Sequence, residues 1–245
     1  MIRVIASREF RSLFASPLAW IILAILQAIL AWIFLARLDA YLGVQAQLSR
    51  LVNPPGATEW IAAPMFSAIS MIYLMIIPLF TMRLVAEERR NRTLPLLFSA
   101  PVTTSEIVLG KFLGLMGFLF FGIFLVFLMS ASLHFGGKID FGLIASATLG
   151  VFLVSAAYGS LGLYISCLTR HPLLAGIGGI GALLALWAAG YGTGKGSNFF
   201  HDISPSTHFS NFMQGIVDTG DIAYFLLFTA FFLTLASWRL EERES

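Results

Sequence analysis

FLGLMGFLFFGIFLVFLMSASLHFGG, residues 112–137, runs for 26 positions without a charged side chain. A helix needs about 20 apolar residues to cross a hydrocarbon core of roughly 30 Å, so this stretch predicts a transmembrane helix. Five further charge-free windows follow the same rule: Ser12–Ala36, Trp60–Met82, Phe141–Thr169, His171–Gly194 and Ile222–Trp238, of 25, 23, 29, 24 and 17 residues. Each is long enough to span, the last one only just. In lipid the backbone has to satisfy its own hydrogen bonds, which leaves helices or closed barrels. Barrel strands would be about 10 residues of alternating polarity, whereas these runs are longer and apolar all round. The expected fold is an all-α integral membrane domain of six helices, one unit over 1–245. Its spans fall near 17–36, 64–82, 112–133, 141–168, 172–191 and 222–238.

Composition agrees. The chain is 58% hydrophobic with a mean hydropathy of +0.86, well beyond the roughly 45–50% apolar content of soluble domains. A net charge of +2 is too small to suggest nucleic acid, and none is expected as a partner; the lipid bilayer is. Cys167 is the single cysteine, so no intrachain disulfide or thiolate metal cluster can form, and it reads as a small apolar residue. The start, Arg3, Arg8 and Arg11 before an apolar run, could pass for a signal peptide. Its run exceeds a cleavable core of about 7–15 residues and no small-x-small site follows closely, so it is expected to stay as an anchor.

Lys and Arg set the orientation. Eleven fall on one side (Arg3, Arg8, Arg11, Arg83, Arg89, Arg90, Arg92, Lys111, Arg170, Arg239, Arg243), and four on the other (Arg37, Arg50, Lys138, Lys195). The side rich in Lys and Arg is cytoplasmic by the positive-inside rule, which puts both termini and the 83–111 loop in the cytoplasm and the 192–221 loop outside. Residues 1–16 place Arg3, Arg8 and Arg11 on one helical face and Ile2, Ile5, Phe10 and Leu13 roughly opposite, the pattern of an interfacial helix.

Several motifs look like chemistry. Gly176-Ile-Gly178-Gly179-Ile-Gly181 fits G-x-G-x-x-G, but it lies inside an apolar run with no acidic residue after it. Small residues that let helices approach closely explain it better, and Gly110-x-x-x-Gly114 reads likewise. Gly190-Tyr-Gly-Thr-Gly194-Lys195-Gly196 lacks the spacing and the Ser/Thr of a Walker A loop. Glu87-Glu88-x-x-x-Arg92 matches the E-E-x-x-x-R element of CAAX-type intramembrane proteases, which also need nearby His. His134, His201 and His208 fall at the far side, and His171 stands alone. No ionisable Asp, Glu, Lys or Arg interrupts any of the six windows, although coupled transporters generally place such costly groups there. If this protein moves something, the energy comes from a partner.

The partner would meet the 83–111 loop. After Glu87-Glu88-Arg89-Arg90-Asn91-Arg92 it keeps Leu94, Leu96, Leu97, Phe98 and Val102, bracketed by Pro95 and Pro101, as apolar surface to hide. Glu87-Glu88-Arg89 through Thr93-Leu94-x-Leu96-Leu97-x-x-x-Pro101-Val102 to Ile107-Val108-x-Gly110-Lys111 resembles the cytoplasmic signature of ABC-2 type permeases. The Arg-rich first helix leading to Ser16-Pro17 is similar to the gliding-motility (Gld) permease branch. So is Ile203-Ser204-Pro205-x-x-His208-Phe209-x-x-Phe212-x-x-Gly215-Ile216. The resemblance covers essentially the whole chain. It implies a multi-pass permease of the bacterial inner membrane, a homodimer acting in export with two separate cytoplasmic ABC ATPase subunits. ATP and Mg would sit in those subunits, and this chain would bind no cofactor or metal and catalyse nothing. Glu87, Glu88, Leu94, Leu96, Leu97, Phe98, Pro101, Val102 and Glu106 would couple it to the ATPase through a docking helix. An auxiliary membrane protein with an outer domain is compatible with the resemblance. Two other functions fit the same loop: a scaffold that recruits a partner without transport, and a protease using Glu87 and Glu88.

Overall fold

The computed structural model describes residues 1–48, 56–91, 102–135, 139–190 and 203–242. Among them every regular element is helical. The longer ones, in chain order, are α1 (Ile2–Ala15), α2 (Pro17–Leu48), α3 (Ala63–Met82), α4 (Thr104–Ala131), α5 (Phe141–Leu168), α6 (Pro172–Ala189), α7 (Pro205–Met213) and α8 (Thr219–Glu242). Among the described residues six helical rods are long and apolar enough to cross a bilayer, built on α2, α3, α4, α5, α6 and α8. The six-helix reading of the sequence therefore stands.

The rods overrun the charge-free windows. α2 has 32 residues, about 48 Å at 1.5 Å per residue, and carries on past Arg37 and Asp39. α3 is the middle of a longer rod. A wide π turn at Thr58–Ala62 leads into it, a second at Arg83–Glu87 follows, and Glu88–Arg90 finishes it. Lys, Arg and Glu are good helix formers, so a window ends where charge begins while the helix continues. Similarly, the expected outer loop 192–221 contains a helix, α7, whose Pro205 takes the first turn after Ser204.

α3, α4 and α5 form the centre, with about half of each span buried; α2, α6 and α8 lie outside them. The reason lies in side-chain size. α5 turns Ser146, Ala147, Gly150, Ser155, Ala157, Gly159, Ser160 and Gly162 into the bundle, and small residues let helix backbones come close. Their hydroxyls cost little, because Ser155 donates to Val151 O at 2.6 Å and Ser160 to Ala157 O at 2.9 Å. On α3, Tyr73 is buried with its hydroxyl donating to Leu119 O of α4 at 3.0 Å.

α1 joins the bundle lengthwise. It runs beside α4 in the same direction, Ile5 against Gly110, Glu9 against Gly114, Phe10 against Gly117 and Phe14 against Phe118 and Phe121. α2 continues along the same helix, with Leu23 near Gly122 and Gln27 bonded to Met129 Sδ.

Candidate functional site

The two helix ends that frame residues 92–101 are the rod end at Arg83–Asn91 and the start of α4. Leu94, Leu96, Leu97, Phe98 and Pro101 lie outside the described residues. Glu87, Glu88, Val102 and Glu106 are described, and they belong to two anchored stubs.

The start of α4 is capped. Thr103 Oγ1 accepts from Glu106 N at 3.3 Å and Glu106 Oε2 accepts from Thr103 N at 3.2 Å. This reciprocal box satisfies two backbone donors that a helix start otherwise leaves unpaired. Val102, just before it, packs partly buried against the core.

The rod end is anchored to α5. Widening the Arg83–Glu87 turn to π spacing takes backbone groups out of the α ladder, and buried groups of this kind need other partners. Ala86 N donates to Ser166 Oγ at 3.1 Å, and Arg89 Nη1 donates to Cys167 O at 2.7 Å, a carbonyl from the last turn of α5. Ser166 and Cys167 are both buried.

Lys111 joins the stubs. Its side chain is 1% exposed, and its ammonium donates to Glu9 Oε1 of α1 at 2.8 Å and to Glu88 Oε1 of the rod at 2.7 Å. Two glycines admit α1 to this position. A Cβ on Gly110 would lie 2.7 Å from Ile5 Cβ, and one on Gly114 would lie 2.6 Å from Glu9 Cβ. Side chains there would force the helices apart and take Glu9 out of reach. Between α1 and the rod end a cavity of about 420 Å³ remains, lined in part by Arg8, Glu9, Arg83 and Glu87.

The protease reading gains no geometry. Glu88 is bonded to Lys111, and among the described residues no three of His, Cys, Asp and Glu converge as a metal site.

The glycines of the 176–181 run differ in how closely neighbours approach them. A Cβ on Gly176 would lie 2.8 Å from Met82 Sδ and one on Gly178 would lie 3.4 Å from Ile165, while one on Gly181 would meet nothing within 4 Å among the described residues.

At the opposite end α7 is seated deep between its neighbours. A Cβ on Gly150 of α5 would lie 2.6 Å from Phe212 Cβ, and Ser146 Oγ donates to Phe212 O at 3.0 Å. Asp221, in the first turn of α8, holds α7 through His208 Nδ1 at 2.6 Å and Asn211 Nδ2 at 2.8 Å. The His208 ring stacks on Tyr224, whose hydroxyl donates to Ile203 O.

Sequence reasoning missed the Lys111 cluster and the Asp221 cluster. Each had a weak signal: Glu9 is the one acid among the arginines of α1, and Asp221 directly precedes the last apolar window.

Residues 23–238 match a protein-family model described as ABC-2 family transporter protein. No curated protein matches the chain. The matched stretch includes Glu88 and Lys111 and begins inside α2, beyond Glu9.

Proposed function

The chain belongs to the ABC-2 transporter family, the membrane-embedded permease components of ABC transporters, and on that premise we propose that it is one half of an exporter. Two copies form the path, and a separate ATP-hydrolysing subunit drives them through residues 92–101. ATP and Mg remain in that subunit. In this reading both termini and the 83–111 region face the cytoplasm of a bacterial cell, and an auxiliary protein completes the outer side where one is present.

The observation that supports it best is the Lys111 clamp. A push on residues 92–101 enters the membrane domain at Asn91 and at Val102. Lys111 ties the rod on one side to α4 on the other at 2.7 Å, and to α1 at 2.8 Å. Arg89 extends the tie to α5. A push on the segment therefore moves three central helices and α1 as one body, the rigid lever a partner without membrane spans needs. Glu87 and Glu88 act within this lever, Glu106 squares its second stub, and Leu94, Leu96, Leu97 and Phe98 provide the greasy contact with the ATPase.

Copurification tests the reading. Leu97→Asp is expected to abolish recovery of the ATP-binding cassette subunit with the tagged chain, while membrane insertion stays intact. Unchanged recovery removes the docking role. A spin-label pair at Ser12 and Asn91, across the cavity, should change distance on nucleotide binding to the complex; a static distance would leave a scaffold.

A further inference from the structure

Between α3, α5, α6 and α7 lies a second cavity, of about 380 Å³, within the range of small-molecule sites. Among the described residues its polar lining is Ser67, Ser70, Tyr158, Ser206, Ser210 and Gln214, none of them charged. Met71, Trp187, Phe209 and Met213 supply the apolar remainder. Tyr158 stands 17 residues into α5, about 25 Å along the helix, so the cavity reaches well into the span. It opens where Ser67, Met71, Ser210 and Gln214 are exposed on one face.

The hydroxyls there are oriented by their partners. Each serine has one proton to donate and two lone pairs. Ser204 Oγ donates its proton to Leu186 O at 2.9 Å, so the 2.8 Å bond between Ser204 and Ser206 is donated by Ser206. Ser210 Oγ spends its proton on Thr207 O at 2.7 Å. Ser70 and Tyr158 bond to each other. Ser206 and Ser210 thus offer the cavity lone pairs alone. A guest that satisfies them brings donors. At Ser206 and Ser210 a carboxylate or phosphate would set acceptor against acceptor, and its charge would meet no cation among the described lining residues, which is costly. Ser67 and Gln214 keep donors for the oxygens of an uncharged guest. An ammonium would donate, but it would enter a part-apolar site with no counter-charge among the described lining residues, which is costly.

We propose that this cavity binds an uncharged, polyol-headed amphiphile, its hydroxyls on Ser206 and Ser210 and its chain along Met71, Trp187, Phe209 and Met213. As the class of cargo this rests on the permease reading; as a binding site it does not.

The test reads binding alone, on the full-length chain purified into nanodiscs with no ATPase present. A monoacylglycerol bearing a diazirine in its acyl chain is photo-crosslinked and the adducts are mapped by mass spectrometry. Saturable labelling is expected at Met71, Phe209 or Met213, competed by unlabelled monoacylglycerol. The fatty acid and the alkylamine of the same chain should label these positions at least about fivefold less, the loss that one unmet hydrogen bond entails. The Ser206→Ala/Ser210→Ala double variant should lower labelling by a similar factor. Equal labelling by all three probes overturns the proposal. So does labelling that never saturates, or that falls on outward residues such as Ile25 and Ile29. The wild-type probe comparison decides even if the double variant fails to fold. Failure here leaves the Leu97 copurification result untouched, and the reverse also holds.

Discussion

Lys111 Nζ lies 2.7 Å from Glu88 Oε1 across 23 residues of sequence, in a place where 1% of the lysine side chain meets solvent. With Glu9 it is a three-member cluster in which one ammonium serves two carboxylates from two other helices. Removing the lysine would leave two partly buried carboxylates facing each other, and breaking a buried pair costs about 3–5 kcal/mol. Lys111→Met is therefore expected to lower the thermal midpoint strongly. The Glu9→Gln/Lys111→Met/Glu88→Gln triple variant should recover most of the loss, because no uncompensated charge remains. Midpoints followed by size-exclusion recovery after heating would check both.

Close approach gives a second contrast. Gly114→Ala puts a methyl 2.6 Å from Glu9 Cβ and 3.0 Å from Ala6 O, and overpacking of this kind costs about 1–3 kcal/mol. Gly181→Ala meets nothing within 4 Å among the described residues. The first variant should lower the midpoint of the solubilised chain and expose α1 to protease. The second should leave both unchanged. A fall in dimer recovery with Gly181→Ala alone would place that glycine between copies.

Ser166 supports the π turn. Ser166→Ala removes the acceptor of Ala86 N–H, a buried donor bonded at 3.1 Å, and stranding such a group costs about 1–3 kcal/mol. Faster hydrogen exchange at Ala86 is the expected result, with the ATPase subunit still copurifying but less of its hydrolysis coupled to the membrane domain. Exchange at wild-type rates would mean the turn finds its partner elsewhere.

The number of spans was legible because each is written locally, as a run of twenty or so residues that exclude charge. Lys111 was not. At the edge of the 112–137 window it reads as one more cytoplasmic cation, and only the tertiary approach of α1 over Gly110 and Gly114 buries it. α7 was hidden for a related reason. Ser204 to Met213 mixes hydroxyls, His and aromatics, so no apolar run announces it, yet Phe209 and Phe212 are buried. The π turn at Arg83–Glu87 leaves no pattern in side-chain polarity, since it is a backbone feature answered by Ser166, eighty positions from Ala86.

Asp221 separates charge from hydrogen bonding at the other end. Its carboxylate accepts from His208 through Oδ1 and from Asn211 through Oδ2. Asp221→Ala takes the carboxylate acceptor from both donors at a position that is 5% exposed, and α7 loses two hydrogen bonds to α8 while keeping the His208–Tyr224 stack. Asp221→Asn keeps one carbonyl oxygen for His208, and the Asn211 amide can turn to present its own oxygen to the new NH₂. The alanine variant should thus lose about 1–3 kcal/mol for each hydrogen bond to the carboxylate, and the asparagine variant much less. Thermal unfolding of the two, read beside hydrogen exchange in Pro205–Met213, would check this. An asparagine variant as unstable as alanine would show that the negative charge itself holds α7 in place.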